Sequence, residues 1–392
     1  MGFFKKLTAI AHARKELAKL GIDPFNVEIE EILSPTTARI AGREVLLAGT
    51  NNYLGLTFDP RCIEAACNAT RTEGTGTTGS RMANGTFAGH RALEQELAAF
   101  YGCSCAIVFS TGFVANQGII STLTGPGDTI LIDGDSHASI YDGCRLSGAN
   151  IIRFRHNNAA DLDKRLRRLG DQSKKALVII EGIYSMLGDR APLADIVTLK
   201  KKYGFWLMVD EAHSLGVLGQ QGRGLVEEAN CQQDVDFIVG TFSKSLGTIG
   251  GFCVSNHPEL DLVRYASRSY VFTASPSPAT IASVRQALQL LASGVELRER
   301  LWRNTRQLYD GLAQLGFRLG PDPTPVVAVY MGAKEETLLC WKQLLEQGVY
   351  VNLVLPPAAP DGTSLLRCSV SAAHTAEQID TILSKFSSLK KP

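Results

Sequence analysis

The stretch "DFIVGTFSKSLGTIGGFCVS", residues 236–255, decides the fold. Two short apolar runs, Phe237 to Val239 and Phe252 to Val254, flank a Gly-Thr-Phe-Ser-Lys turn. Apolar runs this short, bounded by glycine, serine or aspartate, read as strands buried on both faces. Five more precede them: "AIVFS" (106–110), "TILID" (129–133), "IIRF" (151–154), "ALVIIEG" (176–182) and "FWLMVDE" (205–211). Helical patterns alternate with these runs from about residue 60 onward, which predicts an α/β fold around a mostly parallel seven-stranded sheet. In such sheets ligands bind in loops beyond the carboxyl ends of the strands. Taken alone, Lys244 is a solvated loop lysine; a place at a strand end gives it another use.

Beyond Pro276 and Pro278, the long helical patterns "IASVRQALQLLASG" and "LRERLWRNTRQLYDGLAQLG" lead to two strand candidates, "VVAVYM" (326–331) and "LLRCSVS" (365–371). A final helix opens at Thr375 with Gln378 in a capping-box relation. The expected division is an N-terminal helical segment (1–45), a large domain (46–279) and a smaller C-terminal α+β domain (280–392). In the first, Phe3, Leu7, Ile10, Ala11, Leu17 and Leu20 recur at roughly helical spacing among Lys5, Lys6, Arg14, Lys15 and Lys19. Packing onto the body is the expected use of that face, with weak membrane-surface association as the alternative.

The chain has 392 residues, a formal net charge of +1, 45% hydrophobic and 20% charged residues. That balance gives no field to concentrate nucleic acid, so nucleic acid is not an expected partner. No apolar run is long enough to span a bilayer. Nine cysteines without a C-x-x-C pair read as reduced thiols, with no metal assigned to them. With no secretory h-region at the N-terminus, they point to the cytoplasm.

Two motifs mislead. "GTGTTG" (74–79) matches a dinucleotide fingerprint letter for letter, but a helical pattern opened by Pro60 precedes it where the fingerprint needs a strand. It is a turn, or a glycine-rich loop close to substrate. "DEAH" (210–213) resembles a magnesium-binding helicase strand end, yet the chain contains no Gly-Lys dipeptide and so no phosphate-cradling P-loop.

What remains is a set of polar groups at strand ends. Asp210 closes one strand with His213 after it, and Lys244 follows another beside Thr241 and Ser243. His137 follows the strand ending near Asp133, and Gly112 and Phe113 follow the one ending at Ser110. Pyridoxal phosphate chemistry requires such parts: an amine for a Schiff base, a carboxylate for the pyridine nitrogen, an aromatic face, and hydroxyls with a helix N-terminus for the phosphate.

Eight stretches in order resemble the motifs of the α-oxoamine synthases: "NNYLGL" (51–56), "HRALEQELAAFYG" (90–102), "STGFVANQGII" (110–120), "DSHASIYDG" (135–143), "EGIYSMLGD" (181–189), "VDEAHSLGVLG" (209–219), "GTFSKSLGTIGG" (240–251) and "VFTASPSPA" (271–279). The resemblance implies the fold-type I pyridoxal-phosphate transferase architecture, with residues 46–279 binding the cofactor. It makes Lys244 the Schiff-base lysine, Asp210 the partner of the pyridine nitrogen, His213 the partner of the phenolic oxygen and His137 the stacking ring. Gly112, Phe113, Thr241 and Ser243 hold the phosphate, Thr273 reaches the phosphate of the neighbouring subunit in a homodimer with composite sites, and Ser185 lies beside the cofactor. Arg367 takes a substrate carboxylate and Asn52 lines the amino-acid pocket. Leu187 stands where the family often has an acid, a departure expected to alter a helix start or a loop contact and leave the chemistry intact.

The implied activity is decarboxylating condensation of an amino acid with an acyl-CoA. "GTGTTGSRMANGTFAGH" (74–90), "YVFTASPSPAT" (270–280) and "VNLVLPPAAPDGTSLLRCSVSAAHT" (351–375) resemble the members that join L-serine to a palmitoyl-length donor and release a 3-keto long-chain base. In those members a strip near Pro356, Pro357 and Pro360 forms a mobile lid. Alanine with a pimeloyl thioester, or glycine with a short donor, is the competing pair. Another fold-type I activity, or a catalytically silent partner subunit, is the alternative outside the family chemistry; the silent subunit is expected to lack Lys244.

Overall fold

The computed structural model describes residues 2–19, 21, 23–356, 358–359 and 362–389. All seven apolar runs are strands of one sheet: β4 (Cys105–Phe109), β5 (Thr129–Asp133), β6 (Asn150–Phe154), β7 (Leu177–Glu181), β8 (Trp206–Asp210), β9 (Phe237–Thr241) and β10 (Gly251–Ser255). They follow three N-terminal strands, β1 (Glu31–Ser34), β2 (Thr37–Ile40) and β3 (Arg43–Leu47). The sheet order is β4-β10-β9-β8-β7-β5-β6, with β10 antiparallel to both neighbours and the remaining strands parallel.

The alternation within each run explains why none looks amphipathic. Ile130, Ile132, Ile179 and Met208 pack into one apolar cluster, whereas Leu131, Val178, Ile180, Leu207 and Val209 pack into another on the opposite face. Side chains alternate faces along a strand, and here helices cover both faces, so every position must be apolar. At ~1.5–3 kcal/mol for each fully buried aliphatic side chain, this double burial is the main favourable term locating the sheet.

Parallel strands bring their carboxyl ends to one edge. Asp133, Glu181, Asp210 and Thr241 end β5, β7, β8 and β9, Glu181 pairs in register with Asp210, and Gly251 at the start of β10 pairs with both Thr241 and Phe109. Helix Gly112–Leu123 starts at that edge, its Thr111 hydroxyl accepting from the Val114 N–H at 3.0 Å.

The C-terminal part contains β11 (Val326–Met331), β12 (Val349–Tyr350), β13 (Asn352–Val354) and β14 (Ser364–Ser369), with β14 between β11 and β13. The final helix, Ala376–Ser387, carries the expected reciprocal Thr375–Gln378 box. The expectation for residues 1–45 needs correcting. Among the described residues they are helical only over Phe3–Lys19, and β1–β3 then form a sheet with β12, Leu46 and Leu47 pairing with Val349 and Tyr350. The short polar-apolar alternation of "TARI" buries Ala38 and Ile40 and was the missed strand signal. Nor does the N-terminal helix pack its whole apolar face on this chain: Leu17 is buried, whereas Phe3 is 91% and Ile10 65% exposed, and Leu20 lies outside the described residues.

Candidate active site

Lys244 lies on the wall between two cavities. The first, about 350 Å³, is lined by Gly112, Phe113, Asn116, His137, Asp210, His213, Thr241, Ser243 and Lys244 among others. The second, about 500 Å³, shares His137, His213 and Lys244 and extends past Asn51, Ser185 and Arg367 to Phe25, Val27, Leu353 and Val354. The structure thus gathers the expected Lys244, Asp210, His213, His137, Gly112, Phe113, Thr241 and Ser243 around one space and Ser185 and Arg367 around its neighbour.

Burial pulls the Lys244 ammonium down to about 8, against the opposing pull of Asp210 and Glu181. A neutral amine is therefore accessible near physiological pH. Asp210 is buried, accepting from the Asn116 amide at 2.7 Å and the Ala212 N–H at 2.9 Å. Beside it in register, Glu181 is pushed well above the carboxylate range, by burial first and then by Asp210, and accepts from the His137 N–H.

A hydrogen-bond chain sets the state of His137. Asn116 donates to both Asp210 and the Ser139 hydroxyl (2.9 Å), which leaves the Ser139 proton for His137 Nδ1 at 2.8 Å. Burial lowers the imidazole pKa, so the ring is neutral with its proton on Nε2. His213 is also held neutral, by burial and by Lys244 and Arg367, with Nδ1 2.6 Å from the Tyr53 hydroxyl.

At the other side of the first cavity, the Thr241 hydroxyl lies 2.9 Å from that of Ser243 and opposite Gly112. A Cβ on Gly112 would sit 2.9 Å from Thr241 Cβ, and one on Gly251 would sit 2.6 Å from the Gly112 nitrogen. Only glycines permit this approach, which presents a 12-residue helix's first N–H groups to the cavity. Such a cradle fits a phosphate. With Asp210 for a pyridinium N–H, a neutral imidazole, and the buried Asn116 Oδ1 without a partner, the residues fit pyridoxal phosphate.

In the second cavity Arg367 is buried on β14 and held by three acceptors: the Ser185 carbonyl (2.6 Å), the Ser369 hydroxyl (3.0 Å) and Asn51 Oδ1 (3.2 Å). Asn52, expected at the amino-acid pocket, is in neither cavity lining. Its amide bonds Thr57 at 2.8 Å, while Asn51 lines the cavity and orients Arg367. Thr273 lies apart from both linings, in the segment after helix Arg268–Val271. Of the proline strip, Pro356 is exposed and Pro357 and Pro360 lie outside the described residues.

A family model described as aminotransferase class I and II matches residues 43–386. A serine palmitoyltransferase of Caulobacter vibrioides is 55% identical over 98% of this chain and 96% of its own length. The chain belongs to the class I and II aminotransferase family, among the serine palmitoyltransferases. A solved serine palmitoyltransferase, described as carrying its PLP internal aldimine, superposes with a TM-score of 0.96 at 50% identity, covering 99% of this chain and 98% of that one. An 8-amino-7-oxononanoate synthase of Symbiobacterium thermophilum, bearing the competing name, is more distant at 40% over 91% of this chain and 92% of its own. Family and fold therefore agree with the expectation from the eight motifs.

Asn51, Tyr53, Asn116, Ser139 and Glu181 complete the serine palmitoyltransferase-like site and were not singled out from sequence. Asn116 lies one helical turn beyond Gly112, so it faces the same side. Glu211 of "DEAH" is structural: fully buried, it accepts from the Leu225 and Val226 N–H groups (2.9 and 2.8 Å) and from the Ser214 hydroxyl.

Proposed function

We propose that this chain joins L-serine to palmitoyl-CoA with pyridoxal phosphate as cofactor, releasing CoA and CO₂ and forming 3-ketodihydrosphingosine. The observation that carries the reading is Lys244 on the wall common to a phosphate cradle and an arginine-anchored, apolar-ended cavity.

Lys244, Asp210, His213 and His137 hold the cofactor ring, and Gly112, Phe113, Thr241 and Ser243 its phosphate. The cofactor supplies a carbonyl carbon for amine exchange and a sink for the electrons left at the substrate Cα. Arg367, fixed by Ser185, Ser369 and Asn51, binds the serine carboxylate through its remaining N–H groups. Lys244, neutral above about pH 8, takes the Cα proton. Cα then bonds to the acyl carbon as the C–S bond breaks and the CoA thiolate leaves; the Cα–carboxylate bond breaks with loss of CO₂, and protonated Lys244 returns a proton to the electron pair left at Cα. His137 Nε2–H offers a hydrogen bond to the carboxylate or to the oxyanion developing on the thioester.

The acyl chain takes the apolar end near Phe25, Val27, Leu353 and Val354. Each buried methylene gains ~0.8 kcal/mol. The terminal carboxylate of a pimeloyl or succinyl donor would be desolvated there, since those described residues offer no cation. A homodimer with composite sites and Thr273 crossing to the partner's phosphate belongs to this reading. It is supported by the exposed Phe113 and Ile249 at the cavity and Phe272 beside Thr273 (75% exposed). A cytoplasmic setting suits nine cysteines that are all thiols. No described helix is long and apolar enough to cross a membrane. The silent-subunit alternative is disfavoured by the intact Lys244, Asp210 and His213.

A matrix of serine, alanine and glycine against acetyl, succinyl, pimeloyl and palmitoyl thioesters, scored by thiol release, tests the proposal. Fastest turnover is expected with serine and palmitoyl-CoA; fastest turnover with alanine and pimeloyl, or glycine and a short donor, overturns it.

A further inference from the structure

His156, just past β6, touches neither cavity lining, yet both ring nitrogens meet carboxylates. Nδ1 lies 2.7 Å from Asp133 Oδ1 and Nε2 2.7 Å from Asp189 Oδ2, while its ring stands edge-on to Tyr184 at 4.5 Å and 89°. Asp135 Oδ2 is 3.9 Å from the same Nδ1. Asn157, held at φ +49°, repeats the bridge: its N–H donates to Asp133 Oδ2 (2.8 Å) and its amide to Asp189 Oδ2 (2.6 Å) and the Arg190 carbonyl (3.0 Å). Burial opposes a charge on the imidazole, but the two carboxylates outweigh it and raise the pKa to about 10, so the ring is an imidazolium donating at both nitrogens.

Each carboxylate belongs to a loop of the site. Asp133 accepts from the Asp135 N–H at 2.9 Å in the turn that delivers His137. The Asp189 carbonyl accepts from the Tyr184 N–H at 2.9 Å, closing the loop whose Ser185 carbonyl orients Arg367. We propose that His156 is a positioning residue for the amino-acid substrate, an imidazolium brace clamping the 182–190 loop to the 133–137 turn so that Ser185 holds Arg367 in its carboxylate-binding pose. Without the cation, Asp133 and Asp189 face each other as buried like charges and the loop moves outward. The inference rests on the reading of Arg367 as the carboxylate ligand.

Calorimetric titration of L-serine into holoenzyme tests it, together with tryptic cleavage after Arg190 as a measure of loop order. His156→Gln is expected to weaken serine binding about tenfold, the effect of misplacing one charge-assisted hydrogen bond, to raise KM more than it lowers kcat, and to speed cleavage. Asp189→Asn alone should also weaken binding, which keeps the test available if His156→Gln does not fold. Adding Asp189→Asn to His156→Gln should restore part of the affinity, because the repulsion is gone; a merely structural loss of packing would not be rescued. Unchanged serine affinity in His156→Gln or Asp189→Asn, with Arg367→Ala weakened, overturns the brace. An Arg367→Ala enzyme that binds serine like the parent overturns the reading of Arg367, and the inference falls with it.

Discussion

Glu94→Gln is expected to loosen the glycine-rich 74–87 segment at a calculable cost. Glu94 is buried, and its Oε1 accepts from Arg264 (2.8 Å) and the Val108 N–H of β4 (3.1 Å) and lies 3.0 Å from Arg81 Nη1 as an ion pair. Arg81 in turn donates to Thr86 at 3.0 Å, and Gly79 accepts from the Ser275 N–H at 3.0 Å, so one carboxylate ties the loop to β4 and to the segment carrying Thr273. The amide keeps the shape but removes the only carboxylate between two buried guanidiniums; Arg264 keeps Asp261, and no acid on the described chain replaces Glu94 for Arg81. Removing one partner of a buried charge cluster costs ~3–5 kcal/mol. With an unfolding entropy of about 2.1 cal/mol/K per residue, the chain's 392 residues give about 0.8 kcal/mol/K, so a loss of ~4 kcal/mol lowers Tm by about 5 °C. Calorimetric melting measures the shift, and tryptic cleavage at Arg81 should accelerate. A Tm within about 1 °C of the parent would refute the reasoning.

Lys244→Ala should abolish covalent cofactor attachment and turnover. In the parent apoenzyme, the rate of attachment should rise with pH about tenfold between pH 7 and 9 around a midpoint of about 8; a midpoint above 10 contradicts the buried amine. His374, buried and neutral, is pulled down to about 4 by burial from an ordinary 6.5. The unfolded imidazole binds its proton first, so stability is intact above pH 6.5 and falls by ~3 kcal/mol as pH drops toward 4. His374→Gln should flatten the part of a pH–Tm profile between 6.5 and 5, and an unchanged slope speaks against it. Inactive Lys244→Ala and Thr273→Ala chains, mixed and reassembled, should regain partial activity; activity in a strictly monomeric fraction during sedimentation would rule out composite sites.

The large sheet was legible because burial on both faces leaves unbroken apolar runs such as "TILID", whose limits coincide with β5. β1–β3 were not, because they are short, half-exposed and complete their sheet through β12, some 300 residues away, a pairing local pattern does not carry. Strand-end position alone brought Lys244, Asp210 and His213 to one sheet edge; their roles came from the family resemblance. Asn51 and Asn52 could not be told apart, since the turn after β3 decides which amide faces Arg367 and which turns to Thr57. The Asn116–Ser139 link was hidden for a similar reason: its members lie on two helices brought together only by the sheet edge. Leu187, the departure from the family's acid, packs with Met186 against the cluster of Ala328, Val354 and Leu365 in the C-terminal part.

The most direct measurement of the central claim is mass spectrometry of the products formed from L-serine labelled at its carboxyl carbon and palmitoyl-CoA. The account predicts labelled CO₂, free CoA and an unlabelled 3-ketodihydrosphingosine in equal amounts, all lost in Lys244→Ala. Label retained in the organic product, or no long-chain ketone while alanine and pimeloyl-CoA react readily, would contradict it.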